Sequence, residues 1–165
     1  PEMLAAAASI SGSIPRDRSC VPKIPISYLQ VFGDEDTVTP IKGEASSDGW
    51  FYENPEVSFN NWADSMGCSE EIIVTESFTA KNNKLICHSR KNCSLDKSLE
   101  VTNCLVPKGG HAWPGQKPGV GYCRSKEQSE SLPNKNECVD NSGNKINWGN
   151  ELMWEFFYKH RREDV

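Results

Sequence analysis

Two apolar runs constrain this chain more than any other feature: Ile24 to Phe32 and Leu99 to Val106. Each reads as a strand, and each runs into a glycine-containing loop. Ile24 to Phe32 is apolar at most positions, as expected for a strand covered on both faces rather than one facing water on one side. The chain is therefore expected to bury its sheet between other layers. Its 165 residues suit one ordinary domain of about 100–200.

The surrounding segments fill in an α/β pattern. Ala5 to Ile10 is small and apolar and stops at Ser11-Gly12-Ser13; helix and buried strand both remain open. Residues 14–23 are polar and proline-punctuated, a loop. Ser58 to Met66 places Phe59, Trp62 and Met66 at helical spacing, with Gly67 as a stop. Ile72 to Phe78 and Lys84 to His88 read as short strands joined by Lys81-Asn82-Asn83. Ile146 to His160 reads as a helix whose apolar face collects Leu152, Met153, Phe156 and Phe157. Residues 115–145 are polar, an unusually long loop for a compact domain. Strands separated by helices predict an α/β fold with a mostly parallel sheet flanked by helices. Functional groups in such sheets sit beyond the carboxyl ends of the strands.

Seven cysteines, at 20, 68, 87, 93, 104, 123 and 138, include no C-x-x-C pair. Zinc-knuckle and redox motifs are disfavoured, and disulfides formed in an oxidising compartment are expected. Three bridges leave one sulfur over; Cys20, the most isolated, is the candidate, and Cys123 with Cys138 is the favoured pair. Asn92-Cys93-Ser94 is a glycosylation sequon, which fits a secreted loop. The net charge of −5 is spread along the chain, unlike the basic patch of a nucleic-acid binder. No window approaches the ~18 apolar residues of a membrane span.

Chemistry concentrates after the two strands. The first leads into Gly33-Asp34-Glu35-Asp36-Thr37-Val38-Thr39-Pro40, the second into Gly109-Gly110-His111. An imidazole works as general base near neutral pH when a carboxylate fixes its tautomer. The order acid, then histidine, matches the last two members of the α/β-hydrolase triad. Asp36 is the preferred acid, because Val38 can pack inward and Pro40 stiffens the exit, whereas Asp34 and Glu35 are expected to face water. The plainer alternative is a solvated acidic turn and a structural histidine. No G-x-S-x-G elbow occurs in the 165 residues, so base and orienter would be present without their serine. His88 lacks a second ligand at zinc spacing, and His160 is expected to cap its helix or favour the dipole there. Trp50, Phe51, Tyr52, Phe59 and Trp62 form an aromatic set that could line a pocket or belong to the core.

With these residues in view, the chain resembles the secreted polyhydroxybutyrate depolymerase / feruloyl esterase family of α/β hydrolases. "VFGDEDTVTP" resembles its acid segment, "GGHAWPG" its histidine loop, "NNWADSMGC" its Trp-to-Gly-Cys segment and "WEFFYKH" its closing helix. "PEMLAAAASISGS" resembles the strand after the nucleophile elbow. The resemblance implies that residues 1–165 are the C-terminal portion of one α/β-hydrolase catalytic domain, the N-terminal half with the serine lying elsewhere. A start at Pro1 and an odd cysteine fit such a cut. It implies Asp36 and His111 as triad acid and base, and no cofactor; Trp113 of the histidine loop and Trp50 of the aromatic set are the candidate substrate contacts. It also implies an extracellular location and a polyester or plant cell-wall ester as partner. The alternative from another class is a secreted, non-catalytic carbohydrate- or polymer-binding module derived from the same fold.

Overall fold

The computed structural model describes residues 4–18, 21–47, 49–78, 84–107, 109–111 and 148–161. They form five strands and two helices: β1 (Ala6–Ile10), β2 (Ser27–Gly33), α1 (Pro55–Ser65), β3 (Ile73–Phe78), β4 (Lys84–Arg90), β5 (Val101–Val106) and α2 (Trp148–Lys159). The strands make one sheet in the order β1-β2-β5-β4-β3.

The sheet is mixed, which corrects the expectation of a mostly parallel one. β1 with β2 and β2 with β5 pair in parallel, but β5 with β4 and β4 with β3 pair antiparallel. The reason is chain length between strands. Residues 79–83 and 91–100 are each shorter than the dozen or more that a parallel crossover needs. β5 is thus the seam, parallel on one side and antiparallel on the other.

Alternation along β2 assigns the two helices to opposite faces. Leu29 and Val31 join Leu85, Cys87, Cys104 and Phe156 in one core, with Leu152 and Phe157 of α2 packed against it. Tyr28 points the other way, against a second core of Phe59, Ala63, Met66, Leu99 and Val101 beneath α1. The run from Ala6 to Ile10 is a strand. Its pairing with Ser27 to Val31 overrides alanine's helix preference, and Ala6, Ala8 and Ile10 meet the α2-side core.

Helix α1 begins earlier than its apolar spacing suggests. The Asn54 side chain accepts from the Glu56 N–H and Pro55 opens the first turn, a capping signal upstream of the periodic residues. At its far end Gly67 takes φ +64°, a left-handed conformation that glycine adopts without strain. Gln30, fully buried on β2, donates to the Pro55 carbonyl and to Asn103 Oδ1, tying the start of α1 to the sheet.

Among the described residues two disulfides are formed, Cys68–Cys93 and Cys87–Cys104. The second joins residues that face each other across β4 and β5. The favoured Cys123–Cys138 pair and the odd Cys20 lie outside the described residues. No described helix is long and apolar enough to cross a membrane.

Candidate functional site

The site is built where β2 and β5 end side by side. Their parallel register runs to Gly33 opposite Val106. Beyond it the two exit loops continue to bond: Asp34 N–H to Val106 O at 3.3 Å and Glu35 N–H to Gly109 O at 2.8 Å. This approach requires glycine at 33. A Cβ there would collide with the Gly109 carbonyl group, and only a residue without one lets the loops touch.

The result brings Asp36 and His111 together across 75 positions of sequence: Asp36 Oδ2 lies 3.0 Å from His111 Nδ1. The Asp36 side chain is fully buried, while that of His111 is 40% exposed. A buried carboxylate needs donors, and this one has a full set. Oδ1 accepts from the N–H groups of Val38 (2.8 Å) and Thr39 (2.9 Å), and Oδ2 accepts from the Thr39 hydroxyl (2.7 Å) as well as from the imidazole. Burial alone would raise its pKa. The bonds from Thr39, His111 and Val38 more than offset this and hold the carboxyl below the usual range. Asp36 therefore stays ionised while enclosed. Facing it, the imidazole carries its proton on Nδ1, which leaves Nε2 as the basic nitrogen. Nε2 makes no hydrogen bond among the described residues. An exposed, oriented nitrogen of this kind can take a proton from a nucleophile and return it to a leaving group.

Of the neighbouring acids, Glu35 is exposed, but Asp34 is half-buried, and its Oδ1 is enclosed without a hydrogen-bond partner among the described residues. The expectation that Asp34 faces water is corrected: the loop-to-loop stitching that glycine permits draws it inward.

The other candidates disperse. Trp113 lies outside the described residues. The aromatic set splits: Phe59 is core, Trp62 stacks on Tyr28 with centroids 3.9 Å apart, and Trp50 and Phe51 are exposed, at 60% and 49%. Trp62 and Tyr28 line a cleft of about 260 Å³ with Ser9, Gln30, Phe32 and Ser58. His88 faces Asn103 across the β4–β5 ladder, and no cluster of metal-ligating side chains gathers among the described residues.

His160, expected to cap its helix or favour the dipole there, turns instead toward the strand starts. Its side chain is only 6% exposed, and its Nδ1 lies 3.1 Å from Ser27 Oγ at the start of β2. Nearby, Glu100 is buried just before β5 and pairs with Lys91 at 3.1 Å and with Lys159 of α2. This charged knot, missed in sequence because its members are scattered, fastens the end of α2 to the strand starts, at the pole of the sheet opposite Asp36 and His111. A Glu inside a strand-like apolar run, Leu99 to Val106, was the one available signal.

No protein-family model matches the chain. The chain is similar to a curated protein of Nocardia uniformis subsp. tsuyamanensis named "Putative esterase NocK", with 29% identity over 126 residues, covering 70% of this chain and 37% of that protein. The chain spans little more than a third of that relative's length.

Proposed function

We propose that this chain is the carboxyl-terminal part of a serine-type carboxylic ester hydrolase of the α/β-hydrolase fold, with His111 as general base and Asp36 as its orienting acid. The observation that carries the reading is the enclosed, four-donor carboxylate of Asp36 set 3.0 Å from an exposed imidazole. The similarity to a named esterase supports ester hydrolysis at a coarse level. The absence of a G-x-S-x-G serine and the greater length of that relative support a nucleophile on sequence outside these 165 residues. The outer edge of β1, unpaired among the described residues, supports a sheet that continues there.

In this reading His111 Nε2 takes the serine proton as Oγ attacks the ester carbonyl, and Asp36 stabilises the imidazolium that forms. His111 then gives that proton to the leaving alkoxide, and an acyl-enzyme remains. A water molecule deprotonated by the same nitrogen hydrolyses it. The substrate class is a polyester or a feruloyl or acetyl ester of plant cell walls, met outside the cell. The two disulfides support that location.

The test is hydrolysis of a p-nitrophenyl ester by the full-length protein and by the 1–165 chain. Turnover by the full-length protein that His111→Ala removes is expected, with none above background for residues 1–165 alone. Turnover by 1–165 alone that depends on His111 would overturn the assignment of the nucleophile to other sequence.

One observation favours a second reading. Trp50 and Phe51 are adjacent and exposed, as in surfaces that hold polymers by stacking. A non-catalytic polymer-binding module would bind cellulose or polyester film undiminished by His111→Ala and show no esterase activity at full length.

A further inference from the structure

We propose that Asn92 is an N-glycan acceptor whose modification competes with closure of the Cys68–Cys93 disulfide. The proposal rests on maturation in a secretory compartment but not on esterase activity. Asn92-Cys93-Ser94 is an acceptor sequon in sequence, and the fold gives it two properties that sequence does not.

The first is exposure at a harmless pole. Asn92 and Ser94 are both exposed, in the segment between the end of β4 and the start of β5. Asn92 uses its carbonyl to accept from Lys97 Nζ at 3.3 Å, while its side-chain amide makes no hydrogen bond among the described residues. Arg90 pairs with Val101 at this end of the ladder, and Val106 leads to His111 at the other. The length of β5, ~17 Å at about 3.3 Å per residue, separates a glycan here from the Asp36–His111 pair. Leu95, 57% exposed beside the sequon, would gain cover from the first sugars.

The second is that the folded sequon is pinned at its middle. Cys93 is fully buried and bonded to Cys68, and Ser94 N–H is held to the Gly67 carbonyl at 2.8 Å. Asn92 itself sits at φ +55°, in the left-handed region. A transferase must engage three consecutive residues, presenting the Asn amide and the Ser hydroxyl together. A chain anchored through its central side chain cannot peel away to do so. The glycan must therefore be added before the bridge closes, and the two events draw on the same open state.

The transfer needs a lipid diphosphate-linked oligosaccharide as donor. Asn92 Nδ2 forms the bond to the anomeric carbon. The anomeric C–O bond to the diphosphate breaks, the diphosphate leaves with the electron pair, and one amide proton passes to a base.

The test expresses the full-length protein behind an efficient secretion signal in eukaryotic cells, with glycopeptides read from whole-cell and secreted fractions. Peptide N-glycosidase in heavy-oxygen water converts an occupied Asn92 to labelled Asp. Partial occupancy is expected in the parent protein, severalfold more unglycosylated chain than in Cys68→Ala, and none in Ser94→Ala. Because addition precedes folding, whole-cell glycopeptides report on Cys68→Ala even if it is retained. A pulse of dithiothreitol, which holds the bridge open without mutation, should raise occupancy in the parent protein likewise. An Asn92 that stays unmodified in both the parent and Cys68→Ala overturns the acceptor assignment. Equal occupancy with the bridge open or closed overturns the competition. Neither outcome bears on ester hydrolysis, which is read separately.

Discussion

Replacing Asp36 by Asn tests whether the acid sets the tautomer of His111 or merely fills space. The two oxygens of Asp36 are not equivalent. Oδ1 faces two main-chain N–H groups, so an amide nitrogen cannot sit there without opposing two donors. The carbonyl of Asn must take the Oδ1 position and its NH2 the Oδ2 position. Two groups meet that NH2. The Thr39 hydroxyl adapts, because Ser11 O at 3.1 Å gives its proton another acceptor. His111 Nδ1 must change from donor to acceptor, which moves its proton to Nε2, the nitrogen that needs to be free.

The structural cost is modest. Two charge-assisted bonds to Oδ1 become neutral ones at a loss of about 1 kcal/mol each, so about 2 kcal/mol in all. Under the proposed esterase function the catalytic cost is far larger. A wrong tautomer lowers kcat about 10⁴-fold in triads of this type, which is ~5.4 kcal/mol at 1.36 kcal/mol per decade. Urea denaturation measures the first quantity, ester turnover by the full-length protein the second, and nitrogen-15 NMR of His111 reports the tautomer directly. If His111 keeps its proton on Nδ1 in Asp36→Asn, or turnover stays within about tenfold of the parent, the orienting role fails.

Three further outcomes follow from the same structure. Gly33→Ala forces a Cβ onto the Gly109 carbonyl, so turnover at full length should fall at least about tenfold while far-ultraviolet circular dichroism is kept; unchanged turnover would show that the loops do not need their close approach. Glu100→Gln should cost about 2–4 kcal/mol in urea denaturation, because it strips the partner from Lys91, Lys159 and the nearby His160. Burial would raise the Glu100 pKa, but the Lys159 and Lys91 ammonium groups bonded to its carboxylate hold it far below its ordinary 4.5. Its folded value is depressed, so its stabilisation is complete above that ordinary value and drains away as pH falls below it toward the folded one; Glu100→Gln should flatten the acid limb of a pH-stability curve. Opening Cys87–Cys104, a bridge of sequence separation 17, by paired Ser substitution should cost about 3 kcal/mol by loop entropy, and an unchanged urea midpoint would argue that the unfolded chain is already compact there.

The strands were legible because their signals are local. Ser27 to Gly33 and Val101 to Val106 carry the apolar, β-rich content of covered strands, and the structure puts them side by side. The sheet's direction was less legible. The short link at 81–83 already implied a hairpin, yet the parallel pattern of the flanking strands masked it. The contact between Asp36 and His111 could be anticipated from strand ends and residue order, but not its supports: the Thr39 hydroxyl and the Gly33–Gly109 approach exist only once two distant loops meet. The place of His160 is hidden for a related reason. A helix-terminal histidine reads as a cap or a dipole partner unless one knows that Ser27 and Glu100 wait beneath it.

The mixed sheet also implies an order of assembly. β3, β4 and β5 form a meander of near neighbours, with Cys87–Cys104 and Cys68–Cys93 cross-linking it over short separations. Contacts this local close quickly. The ladder from Tyr28–Val101 to Gly33–Val106, by contrast, joins positions more than seventy residues apart and must wait for a long loop to close. His111 rides on the early unit and Asp36 on the late one. The pair therefore comes into being only when that ladder zips, which makes the Asp36–His111 contact a reporter of this long-range closure.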